Sequence, residues 1–154
     1  MPPRHAGLTL SELLIVLSLI TILTTVGAVL AARPTPARDA RTLAAALTHA
    51  RWQAVHLGAP VAIGMAPDRR VTRSVTTYGV PHCDGVTDAD VIWQPSRRVN
   101  LSWPRHGLVF GPDGRPRRCD GSGVGNTTIV LDGPGGSQAA VIIASLGRVR
   151  WESR

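Results

Sequence analysis

From Leu13 to Ala32 the chain runs for twenty residues without a charged side chain, the length an α-helix needs to cross the hydrocarbon of a bilayer. Arg4 and His5 precede it, and "VLA" ending at Ala31 resembles a small-residue cleavage site. The apolar run is nevertheless longer than the roughly 7–15 residues of an ordinary secretory signal. A plain anchor fits the length and leaves one residue unexplained. Glu12 stands at the threshold of the run, and an acid beside hydrocarbon is costly enough to need a partner and a role.

The 154 residues leave room, after this segment, for one soluble domain of about 100 residues. The formal charge is +7 and all 17 basic residues are arginine. Without lysine there is no phosphate loop of the Walker type and no Schiff-base chemistry. The surplus of positive charge suits an anionic partner, nucleic acid or lipid head groups. Cys83 and Cys119 are the two cysteines, each in a turn-like setting, "PHCDG" and "RRCDGSG". An even pair beyond a membrane segment points to a disulfide outside the cytoplasm. The rival is a metal site of Cys83, Cys119, His82 and His106, but the C-x-x-C and H-x-x-x-H spacings that would support it are missing.

Catalytic signatures are equally sparse. The 10 acids and 5 histidines form no H-E-x-x-H, and no G-x-S-x-G occurs; Ser122 and His106 are isolated. "GSGVGN" leads into the strand-like "TTIVL" instead of a helix whose N-terminus could hold phosphate, so it is read as a flexible loop. The chain is expected not to be an enzyme and to need neither cofactor nor metal.

Beyond the apolar segment, Pro34 and Pro36 interrupt the helix. A second, amphipathic helix is expected over 37–57, with Leu43, Leu47, Ala50, Ala54 and Leu57 forming one apolar stripe. Arg41, His49, Gln53 and His56 fall on other faces; the two histidines, two turns apart, read as a solvated surface. Gly58 and Pro60 end the helix. From residue 60 to 154 short β-rich runs such as "PVAIGM", "NTTIVLDG" and "AAVIIAS" alternate with Gly, Pro and Asp punctuation. The expected fold class is α+β: a long N-terminal helix, half membrane-spanning and half amphipathic, packed on antiparallel β-sheets, with the Leu43, Leu47 and Leu57 stripe laid on one sheet face.

The N-terminal "GLTLSELLIVLSLITIL" closely resembles the prepilin signature of type IV pilins and type II secretion pseudopilins, which makes the expected α+β fold pilin-like. The resemblance implies a leader, residues 1–7, cut after Gly7 by a membrane-embedded prepilin peptidase that methylates the new N-terminus at Leu8. The family usually has phenylalanine where this chain has Leu8. Residues 8–33 would then be the transmembrane and filament-core helix, and 34–154 the soluble head outside the cytoplasm. The resemblance also gives Glu12 its partner, the charged N-terminal amine of a neighbouring subunit met on leaving the inner membrane for a filament. Such pairing makes a charge in apolar surroundings tolerable. Arg33, Arg38 and Arg41 on the far flank outnumber Arg4 on the near one, against the positive-inside bias. The leader is a recognition site and takes precedence.

Three further stretches, "ARWQAVHLGAPVAIG", "LVFGPDGRPR" and "VIIASLGRVRW", look like the GspH/FimT branch of these proteins. That branch implies either of two functions. One is a minor type IV pilin that binds DNA for uptake in natural transformation through a C-terminal G-R-x-R motif, here Gly147, Arg148, Val149 and Arg150. The alternative is a minor pseudopilin that primes a type II secretion filament together with other pilins and has no nucleic-acid partner. Strand alternation would put Arg148 and Arg150 on one face and Val149 and Trp151 on the other, toward the core. Two guanidiniums about 7 Å apart match successive phosphates of a nucleic-acid strand. Arg115, Arg117 and Arg118, in a glycine-proline loop, are expected helpers; Arg97 and Arg98 are weaker candidates. The reading is of sequence-independent DNA binding, since phosphate contacts carry no sequence information.

Overall fold

The computed structural model describes residues 9–31, 35–75, 90–105, 107–119, 123 and 126–153, with side chains described in the first helix as far as residue 26. The chain divides into two compact units, Met1–Arg33 and Pro34–Arg154.

The first unit holds the helix α1, Leu10–Ala31. Each large apolar side chain from Leu10 to Val26 is at least 50% exposed, so over these residues the helix is apolar all round. Its hydroxyls are satisfied internally. Ser18 donates to the Ile15 carbonyl, Thr21 to Leu17, Thr24 to Ile20 and Thr25 to Ile22, at 2.7–2.8 Å. Such back-bonding lets serine and threonine sit in apolar surroundings without an orphaned donor. Among the described residues no helix is long and apolar enough to cross a membrane; the span expected over residues 8–33 extends at both ends beyond the described side chains of α1.

The second unit opens with α2, Pro36–Leu57. Thr35 caps it by accepting from the Arg38 amide at 3.3 Å, and Pro36 fills the first turn, where a missing N–H costs nothing. Pro36 therefore starts this helix, one residue before the expected boundary. Gly58 ends it in a left-handed conformation, φ +61°. Strands β1 (Val61–Met65), β2 (Val71–Val75), β3 (Asp90–Trp93), β4 (Asn100–Ser102), β5 (Leu108–Phe110), β6 (Pro116–Arg117), β7 (Thr127–Asp132), β8 (Gln138–Ile143) and β9 (Val149–Ser153) follow. They form two sheets, ordered β3-β2-β1-β5-β6 and β4-β7-β8-β9. Every pairing is antiparallel, and the fold is α+β.

Leu43, Leu47, Ala50 and Ala54 are buried as the stripe requires, joined by Ala40 and Ala44. They meet Ile63, Leu108 and Phe110 from one sheet and Ile129, Leu131, Val141 and Ile143 from the other in a single cluster. Two expectations need correction here. The helix packs across both sheets, touching β1, β3 and β5 as well as β7, β8 and β9, not one sheet face. Leu57 is 51% exposed, because it is the last residue of the helix and lies past Ala54, where the buried stripe ends.

The start of α2 is fixed by polar pins. The buried Asp39 carboxylate accepts from the Ser96 amide at 2.8 Å and its hydroxyl at 2.9 Å. Thr42 accepts from the Trp93 indole at 2.9 Å. Together they tie the turn between β3 and β4 to the helix, so that no buried carboxylate oxygen of Asp39 lacks a donor.

Candidate functional site

Gly7 and Leu8, the expected cleavage pair, lie outside the described residues. The expected assembly residue Glu12 lies in the first turn of α1 and forms a capping box with Thr9. The Thr9 amide and hydroxyl both donate to Glu12 Oε2 at 2.9 Å, and the Glu12 amide donates back to Thr9 Oγ1 at 3.3 Å. This is the reciprocal pattern of T-x-x-E at a helix start. Sequence reasoning gave the carboxylate a partner on another chain and missed the one on its own. The T-x-x-E spacing was the available signal.

The C-terminal motif sits where β8 turns into β9. Gly147 has φ +81° and closes the short loop by donating its amide hydrogen to the Ala144 carbonyl at 2.8 Å, while the Ala144 amide donates to the Arg148 carbonyl at 2.9 Å. Positive φ in the last loop residue is the geometry of a three-residue hairpin, and glycine adopts it freely. Arg148 and Arg150 are exposed, with half-buried Val149 between them packing on the core. Trp151 departs from expectation. It lies opposite Val141 yet is 42% exposed, because β9 is an edge strand and has a neighbour on one side only. Two residues after Arg150, Glu152 falls on the same strand face, reducing the local positive charge.

The expected arginine loop is a structured hairpin. Arg115 follows the turn that joins β5 to β6, Arg117 lies in β6, and Arg118 comes just after it; all three are exposed. Asp113 organises the turn. Its carboxylate accepts from the Arg115 amide at 3.1 Å and lies 3.9 Å from the Arg115 guanidinium and 3.3 Å from that of Arg117. The amide of Arg115, helped by Arg117, holds the Asp113 carboxyl below the ordinary carboxylate range against a small desolvation penalty. Sequence reasoning missed Asp113, although "PDG" between two strands is a turn signal in which the Asp side chain bonds the backbone two residues on.

The fold brings these two basic hairpins together. A cleft of about 360 Å³ is lined on one side by Asp113, Arg115 and Arg117 and on the other by Ser145 and Leu146. Arg97 and Arg98 are not part of this surface. They occupy the turn before β4, at the opposite edge of the four-stranded sheet from β9. His49 and His56 are exposed and flank Trp52 and Gln53 on the outer face of α2. Among the described residues no group of three or more His, Cys, Asp or Glu is placed to hold a metal ion. His82, Cys83, His106 and Ser122 lie outside the described residues, as does most of "GSGVGN". Cys119 is not a free thiol.

Comparison with known proteins adds four findings. A family model described as type II transport protein GspH matches residues 39–147, and one described as the prokaryotic N-terminal methylation motif matches residues 2–28. No curated protein matches the chain. Among solved structures, the minor pseudopilin EpsH from the type 2 secretion system of Vibrio cholerae is similar in fold. It has 15% sequence identity and a TM-score of 0.50, covering 77% of this chain and 97% of that one.

Proposed function

Because the chain belongs to the family of type II transport protein GspH and opens with the prokaryotic methylation motif, we propose that it is a minor pseudopilin of a type II secretion filament. The observation that carries this reading is the joining of the two matches in one chain, an N-terminal methylation motif over residues 2–28 followed by a GspH match over 39–147. The all-round apolar surface of α1 from Leu10 to Val26 and its internally bonded hydroxyls support anchoring in the inner membrane before assembly. The capping box keeps the Glu12 carboxylate hydrogen-bonded while no neighbouring amine is available. A disulfide between Cys83 and Cys119, in keeping with a head outside the cytoplasm and with Cys119 not being free, is part of the same reading. The test is in cells. Glu12→Ala should yield correctly processed protein that fails to enter sheared filaments, with secretion reduced. Normal incorporation of that variant into filaments overturns the reading.

A second reading, DNA capture by a minor type IV pilin, is favoured by one arrangement. Arg148, just before β9, and Arg150 within it are exposed beside the hairpin that carries Arg115 and Arg117, with Arg118 adjacent. Guanidiniums fixed on neighbouring hairpins suit a phosphodiester backbone read without base contacts. Replacing Arg148 or Arg150 by alanine should weaken binding equally for unrelated duplexes. Each change should also lower the slope of log affinity against log salt by about 0.9. Failure of the folded wild-type protein to retard DNA at low salt removes this reading and leaves the first intact.

A further inference from the structure

Three segments distant in sequence converge on a single carbonyl in the head. The Arg51 Nε–H of α2 donates to the Gly114 carbonyl at 3.0 Å. Gly147, from the other hairpin, passes so close that a methyl group on it would lie 2.0 Å from that same oxygen and 2.8 Å from Arg51 Nε. Gly114 itself has φ +70° and is backed by Val55 Cγ2 and Arg51 Nε, which a methyl there would meet at 3.1 and 3.2 Å. Each turn is also closed by its own backbone: Gly114 to Gly111 at 2.8 Å, Gly111 to Arg115 at 3.0 Å, and Gly147 to Ala144 at 2.8 Å. These bonds shape each hairpin separately. The Arg51 bond fixes where the first turn sits, and the glycine contact carries that placement to the second.

We propose that Arg51 is a positioning residue, holding the turn that carries Arg115 and Arg117 against the turn that leads into Arg148 and Arg150. The arginines of both hairpins are thereby presented as one surface to a phosphodiester backbone. The ligand in this proposal rests on the DNA reading above; the coupling of the two hairpins does not. The chemistry gives a clean discriminator. Glutamine carries a side-chain N–H on the atom bonded to Cδ, as arginine does at Nε, and has no charge. Arg51→Gln therefore keeps the donor to Gly114 and removes the guanidinium, whereas Arg51→Ala removes both.

The experiment uses the full chain in detergent micelles, with fluorescence anisotropy on two unrelated DNA duplexes across a salt series and hydrogen exchange read by mass spectrometry. Arg51→Ala should speed exchange in peptides covering residues 111–117 and 144–148 and weaken DNA binding about tenfold, the scale of one charge-assisted hydrogen bond. Arg51→Gln should restore both, with the wild-type salt slope. If Arg51→Gln binds as weakly as Arg51→Ala and loses about 0.9 of the slope, Arg51 is itself a phosphate contact and the positioning role is overturned. If wild-type protein does not bind DNA, the DNA reading falls and exchange alone decides the coupling. Unchanged exchange in Arg51→Ala then overturns it.

Discussion

Gly147→Ala tests how tightly the two hairpins are locked, and Gly135→Ala supplies its control. Both glycines have positive φ, +81° and +73°. A methyl group at 135 meets nothing within 4 Å, whereas at 147 it falls 2.0 Å from the Gly114 carbonyl oxygen and 3.2 Å from its carbon. The control thus costs only the left-handed backbone penalty of an L-residue, about 1–2 kcal/mol. Gly147→Ala incurs the same penalty and must also push one hairpin off the other, an overpacking cost of about 1–3 kcal/mol more. Arg51 Nε, which a methyl at 147 would approach to 2.8 Å, cannot hold Gly114 and yield at once. For a head of this size each kcal/mol moves the melting temperature by about 4 °C. Gly147→Ala should therefore melt about 4–12 °C below Gly135→Ala. Differential scanning calorimetry of the two variants and the wild type measures this directly. Equal melting temperatures for the two variants would show that the hairpins are free to part, and the locked interface would be wrong.

Gly7→Val should leave an uncut precursor, while Glu12→Ala should be processed normally; mass spectrometry of a mature chain beginning at Ala32 or Arg33 would instead establish a secretory signal. Reducing the proposed Cys83–Cys119 bridge, which closes a loop of about 37 residues, should remove roughly 3–4 kcal/mol in the chain-entropy model. Two alkylatable thiols in the exported protein would refute the bridge. Asp113, its carboxyl held below the usual range by the Arg115 amide, should steady the 111–115 turn at any pH above about 4. Because the folded value is the depressed one, that contribution is lost as the pH falls through it. Amide exchange in the turn, corrected for intrinsic rates, should loosen on acidification in the wild type and show no such step in Asp113→Asn. Asp39→Ala should strip the Ser96 amide of its acceptor and cost about 1–3 kcal/mol, measured by urea denaturation; a loss below 0.5 kcal/mol, the range of neutral surface substitutions, would contradict the pin.

What the sequence settled by itself was local. The uncharged run, the Glu12 threshold, the Leu43, Leu47, Ala50 and Ala54 stripe and the positive φ at Gly147 are set by side-chain hydropathy and backbone sterics within a few residues, so spacing reveals them. The alternation that exposes Arg148 and Arg150 around Val149 belongs to the same class. What the tertiary structure decided was long-range. Leu57 and Trp151 carry the right pattern for burial and are exposed, because burial depends on where along a helix the buried stripe ends and on which strand lies at an edge. Arg51 gave no signal at all. Its bond to Gly114 spans 63 residues, and nothing in the order of residues says that an arginine on the second helix will meet a glycine carbonyl in one hairpin beneath a glycine of another. That meeting follows from α2 packing across both sheets, which sets the ends of two separate hairpins side by side.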